Sequence, residues 1–174
     1  MNFRRPNVSY IEGESIAPTN LCKRKVEDYA GSVAKIAEFD VGDDPAELVR
    51  RLSGRISYHD IDEWLIEDGS IYVHEKSNFD ILLAHYTSPL RDRFTVAHEL
   101  GHYFLHSNQG EQPIIAYRKG STRIEWEANW FAAALLMPRD KFKAACAKID
   151  NLAVIAARFG VSTDAARVRR DAIG

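Results

Sequence analysis

The sequence predicts an α+β fold: a small, mostly antiparallel sheet packed with helices, followed by a helical C-terminal third. Three observations carry this. Short apolar runs separated by turn residues fill residues 56–86. Helical periodicity of apolar residues flanks them on both sides. An apolar stretch from Phe94 to His106, FTVAHELGHYFLH, then continues the helical pattern. Strands gathered in one stretch and helices in others read as α+β.

In chain order, residues 1–20 read as an irregular, polar N-terminal segment interrupted by Pro6 and Pro18. Residues 21–174 read as a single domain. From Leu21 to Phe39, Val26, Tyr29, Ala30, Val33 and Ala37 recur at helical spacing. Asp43-Asp44-Pro45 is a helix start, because an acidic cap accepts from free N–H groups and proline fits the first turn. That helix runs to about Leu52 and ends at Gly54. Ile61, Trp64 and Ile66, then Ile71 and Val73, then Phe79, Ile81, Leu82 and Leu83 suggest about three strands. Asp68-Gly69 is a hairpin signal and Ser77-Asn78 a weaker one. Pro89 and Asp92 precede the next helix, and Ser107 to about Thr122 reads as a loop. Helices follow over Arg123–Met137, Lys141–Lys148, Leu152–Phe159 and Thr163–Ala172.

Composition sets bounds. The 174 residues are enough for one domain with a core. Hydrophobic residues are 45%, charged residues 28% and the net charge is −2. Bulk charge gives no sign of a nucleic-acid or membrane partner. No apolar run reaches the roughly 20 residues that span a bilayer, and the N-terminus lacks an apolar signal-peptide core. Cytoplasmic location is the expectation, with Cys22 and Cys146 as reduced structural thiols.

The chemistry lies in His98-Glu99-Leu100-Gly101-His102, an H-E-x-x-H pattern. Residues four apart share a helix face, so His98 and His102 can direct two imidazoles at one metal ion. Glu99 is the candidate general base for metal-assisted hydrolysis. Phe94, Val96, Ala97, Leu100, Phe104 and Leu105 make this a buried helix, and buried histidine and glutamate need partners. Zinc suits two imidazoles and a carboxylate, and manganese or iron could occupy the same donors.

Catalytic zinc normally has three protein ligands. Glu111, Glu125 and Glu127 lie downstream. Ile124, Phe131, Ala134 and Leu135 mark a buried stripe on RIEWEANWFAAALLMP. Glu127 falls on that stripe, whereas Glu125 is about 200° around the helix. Glu127 is therefore the favoured ligand. The bland alternative is a buried carboxylate paired with Arg93 or Arg123. His106 continues the face of His102, but it stands about 12 Å along the axis from His98. A cap on the last helical turn is the expected role for it.

These segments resemble the ImmA/IrrE family of metallopeptidases. The likeness rests on RDRFTVAHELGHYFLH from Arg91 to His106 and EWEANWFAAALLMP from Glu125 to Pro138. ILLAH at Ile81–His85 and the ending FGVSTDAARVRR add to it. The resemblance covers roughly residues 20–172. It implies a zincin-like site of gluzincin type, with His98 and His102 as ligands, Glu99 as base and Glu127 as third ligand. It also implies an endopeptidase acting on a regulatory protein, typically a helix-turn-helix repressor or an antitoxin partner encoded nearby. His85, Tyr86, Arg93 and Tyr117 are candidates for oxyanion or substrate contacts. The Ile81–His85 strand could receive an extended peptide if it is an edge, and the 107–122 loop is a candidate recognition surface.

Two other function classes compete. One is a regulatory binding protein of a toxin–antitoxin or prophage module, in which the metal only holds the fold. The other is DNA binding through LAVIAARFGVSTDAARVRR, over helix-turn-helix-like residues 152–172, with Arg167, Arg169 and Arg170 on the second helix.

Overall fold

The computed structural model describes residues 3–59, 70–85, 87–117 and 120–173. The α+β expectation holds, with a larger and mixed sheet. Five strands lie in the order β1-β5-β3-β4-β2. They are β1 (Ile11–Glu12), β2 (Arg55–His59), β3 (Ser70–Glu75), β4 (Asn78–Ala84) and β5 (Ile114–Tyr117). β3 and β4 form the hairpin signalled by Ser77-Asn78, with Ser77 at φ 58 in the turn. β5 pairs antiparallel to β3, while β2 runs parallel to β4 and β1 parallel to β5. The expected strand around Ile61–Ile66 and the Asp68-Gly69 turn lie outside the described residues.

β3 alternates as a sheet covered on both faces must. Ile71 and Val73 enter the helix-packed core. Tyr72 and His74 face the other way, against the N-terminal segment: Phe3 packs on Tyr72, and the Tyr10 hydroxyl lies 2.6 Å from His74 Nδ1. His74 Nε2 in turn meets Asp80 Oδ2 at 2.7 Å, and Arg55 Nε donates to Asp80 Oδ1 at 2.6 Å. Part of the segment read as irregular is thus ordered by nonlocal partners, β1 included.

Among the described residues, seven α-helices accompany the sheet: α1 (Lys23–Ile36), α2 (Pro45–Arg51), α3 (Pro89–Gly101), α4 (Arg123–Leu136), α5 (Arg139–Cys146), α6 (Leu152–Phe159) and α7 (Thr163–Ile173). Two helix starts follow the capping logic. Asp44 accepts from Ala46 N ahead of α2, and Ser88 from Arg91 N ahead of α3, each with proline in the first turn. Past Gly101 the α3 helix widens into a π turn, His102–His106, closed by Ser107 N donating to His102 O. Such turns recur at functional sites.

α1, the π turn and α4 bring Tyr29, Phe104 and Phe131 together, with Tyr29 half-buried and the buried Phe104 and Phe131 rings stacked 5.6 Å apart. Burying a side chain of that size stabilises by about 1.5–3 kcal/mol. α3 and α4 cross closely at Gly101, where a Cβ would sit 3.0 Å from Ala128 Cα. α6 ends at Gly160, whose φ of 63 a residue with a Cβ adopts at a cost. Arg169 of α7 is buried, donating to Met137 O and paired with Glu27. One of the three arginines of the suspected DNA-reading helix therefore belongs to the interior. Among the described residues no helix is long and apolar enough to cross a membrane.

Candidate metal centre

Two helices build the centre. α3 presents His98, and the π turn that continues it presents His102. Both imidazoles are fully buried, with their Nε2 atoms 3.2 Å apart. The first turn of α4 supplies the third donor. It is Glu125: Oε2 lies 3.2 Å from His98 Nε2 and Oε1 lies 3.2 Å from His102 Nε2. Candidate ligand atoms of these three residues all lie within 4.8 Å of one another.

The assignment to Glu127 is therefore corrected. Its carboxylate turns away from the pair of imidazoles and is already saturated. Oε2 accepts from Thr19 N at 2.9 Å and Thr19 Oγ1 at 2.8 Å, and lies 3.1 Å from His106 Nε2. Oε1 accepts from Arg123 Nε at 3.0 Å. The alternative of an arginine pair is met at Arg123. The helix-face argument failed because α4 is buried on two faces. Ile124, Glu127, Phe131 and Leu135 line one of them. Glu125, Ala128 and Ala132 line the other, all buried, where α4 meets α3. The available signal was size: Ala128 and Ala132 follow Glu125 by three and seven residues, and small side chains mark a close helix crossing.

A divalent ion fits this donor set. A tetrahedral ion with bonds of roughly 2.0–2.2 Å holds its ligands about 3.3–3.6 Å apart, close to the spacing found. Two imidazole Nε2 atoms facing each other beside a carboxylate also need a shared cation or proton. Glu125 Oε1 is buried without a hydrogen-bond partner among the described residues. Burial alone would raise the Glu125 carboxyl. Contact with His102 and His98 outweighs that and brings it down to about 2, so Glu125 is a carboxylate. His98 Nδ1 lies 3.0 Å from Asn129 Oδ1, which places the N–H on Nδ1 and the lone pair on Nε2.

His106 is not a helix cap. It is buried, with Nδ1 3.0 Å from His102 Nδ1 and Nε2 on Glu127. Burial first, and then neighbouring His102, lower its pKa to about 4 against the opposing pull of Glu127. Its ring is neutral near pH 7. For Glu127, burial opposes ionisation, but the bonds from Thr19, Arg123 and His106 prevail and its pKa falls below the usual range.

Glu99, next to His98, is fully buried on α3. The remaining candidates separate. Tyr117 ends β5 and lines a cleft of about 500 Å³ together with Glu125, Ala116, Ile16, Pro18 and Arg123. His85 follows β4 at the same end of the sheet as Tyr117 but two strands across, stacked on Tyr58, with its backbone N–H donating to His59 O on β2. Arg93 holds the α6–α7 turn, donating to Gly160 O at 3.0 Å and to Asp43 O at 2.8 Å. Its guanidinium is engaged by backbone carbonyls. Tyr86 lies outside the described residues. β4 carries a partner on each side, so it is not an edge. The 107–122 loop contains β5, and β1 pairs with only Ile114 and Ile115 of that strand.

Comparison with known proteins adds a family. The family model described as Peptidase_M78, IrrE N-terminal-like domain, matches residues 51–170, about two thirds of the chain and all of α3 and α4. No curated protein matches the sequence. Eleven solved chains match the structure. One is a Mycobacterium tuberculosis transcriptional regulator, 22% identical, with a TM-score of 0.57 over 84% of this chain. The chain spans about half, 46%, of that regulator's length, and the likeness is one of fold.

Proposed function

The chain belongs to the Peptidase M78 family, that of the IrrE N-terminal-like domain, and on that premise we propose that it is a zinc-dependent endopeptidase acting on a specific regulatory protein. The observation that carries this reading is the convergence of His98, His102 and Glu125 at 3.2 Å spacing, with Glu99 buried beside His98. Zinc, or manganese or iron in its place, supplies a Lewis acid and lowers the pKa of water. His98, held by Asn129, and His102, held by His106, would hold the ion through their Nε2 lone pairs. Glu99 accepts the proton of the attacking water and returns it to the leaving amine. Tyr117 ends β5 beside the cleft that also contains Glu125, with its ring against Tyr72 and its hydroxyl bonded to Tyr72 and Arg4, and substrate contact is the role proposed for it.

The cleft suggests how a peptide binds. Beyond Ile115, the outer side of β5 at Ala116 and Tyr117 is unpaired with any strand among the described residues. An extended segment added there would run past Glu125, with backbone bonds supplying affinity. This moves strand addition from β4 to β5. A cytoplasmic helix-turn-helix repressor encoded near the gene is the partner we favour.

The test compares zinc-loaded wild type with Glu99→Gln on casein and on the neighbouring repressor. A single Glu99-dependent cut in the repressor is expected. Glu99-dependent cleavage of casein at many sites would refute narrow specificity, and repressor regulation that survives Glu99→Gln would favour a binding role without proteolysis.

A further inference from the structure

The donors behind His102 run unbroken to the N-terminal segment. His102 Nδ1 meets His106 Nδ1 at 3.0 Å, and His106 Nε2 meets Glu127 Oε2 at 3.1 Å. The same Oε2 accepts from both the N–H and the hydroxyl of Thr19. Arg123, bound to the other oxygen, also donates from Nη2 to Leu21 O at 2.6 Å. With both rings neutral, the contacts behind His102 fix one arrangement of protons. An ionised carboxylate only accepts, so His106 Nε2 carries the N–H. His106 Nδ1 then accepts, so His102 Nδ1 is the donor, and His102 Nε2 presents its lone pair toward His98 and Glu125.

We propose that His106 and Glu127 are positioning residues that lock His102 in its ligating tautomer and couple metal binding to the seating of the strap at residues 16–21. This rests on the metal centre proposed above. Its consequence concerns the cleft, since Ile16 and Pro18 of the strap line it together with Ala116 and Tyr117 of β5. Loading the ion then firms a wall of the peptide-binding cleft. The coupling is reciprocal: a strap that strengthens the metal site must itself be held more tightly when metal is bound.

The experiment measures zinc affinity by competition with a chromophoric chelator, and amide hydrogen exchange with and without zinc, on the full chain. In wild type, zinc should slow exchange at Thr19 at least tenfold. Imidazole nitrogen shifts should show His102 protonated on Nδ1 and His106 on Nε2. His106→Phe should bind zinc about 10–100-fold more weakly and lose the zinc effect at Thr19. Thr19→Val leaves every ligand and His106 in place, so it tests the coupling even if His106→Phe fails to fold. It should weaken zinc binding by several fold. Wild type that binds zinc with unchanged exchange at Thr19, or a Thr19→Val variant with wild-type affinity, overturns the coupling and leaves the metal centre standing. Wild type that binds no zinc overturns both.

Discussion

Glu125 and Glu127 stand two residues apart on α4, both buried, and their surroundings divide the labour. Glu125 faces two imidazoles, and Glu127 faces Thr19, His106 and Arg123. Zinc affinity measured on Glu125→Ala should fall by at least about 100-fold, more than the loss typical of a supporting contact. Glu99→Gln should keep its zinc and lose about 100- to 10,000-fold in cleavage rate, because the amide cannot take up the proton. Metal loss in Glu99→Gln would assign it a structural role. The grouping of His98 and His102 on one face was legible in the sequence because both sit within one helical turn and a half, where spacing alone fixes direction. The third ligand was not. A helical wheel assumes one buried face, and α4 has two.

Two devices act at the level of elements, one at the centre and one across the sheet from it. Where α3 crosses α4, Gly101 leaves no room for a side chain against Ala128. Gly101→Ala should destabilise the metal-free protein by about 1–3 kcal/mol, as overpacking does, and should weaken zinc binding by shifting His98 and His102 against Glu125. Denaturant unfolding and zinc titration check both. On the sheet's other face, Asp80 joins β4 to Arg55 and His74. Burial opposes its ionisation, but Arg55 and then His74 outweigh that and hold its pKa below the ordinary carboxylate value. A carboxyl depressed in the folded state stabilises above its unfolded pKa of about 3.9 and loses that contribution as pH falls through the native value. Asp80→Asn should therefore flatten the acid side of the stability curve below about pH 4, and an unchanged curve would remove Asp80 from the account. The helices were legible within one to three residues at most ends, because their periodicity and caps are local. β1 and β5 were not. Each is held by pairing with distant strands, and IIAY at Ile114–Tyr117 is too short to signal a strand alone.

Across the whole molecule, the α+β class and the helical C-terminal third follow from apolar periodicity. The mixed sheet and the strap do not, because both arise from contacts between distant segments. The same long-range contacts make the centre a property of the whole fold: α3, α4 and the strap from residue 16 all converge on it. Zinc binding to the folded state alone should raise the unfolding free energy by about 2.7 kcal/mol at 100 times its dissociation constant, seen as a higher melting temperature that a chelator reverses. The most direct test of the centre compares zinc affinity in wild type, Glu125→Ala and Glu127→Gln by chelator competition. The account predicts about one tight ion per wild-type chain, near-complete loss in Glu125→Ala and a smaller loss in Glu127→Gln. Tight zinc in Glu125→Ala, with loss in Glu127→Gln alone, would contradict it.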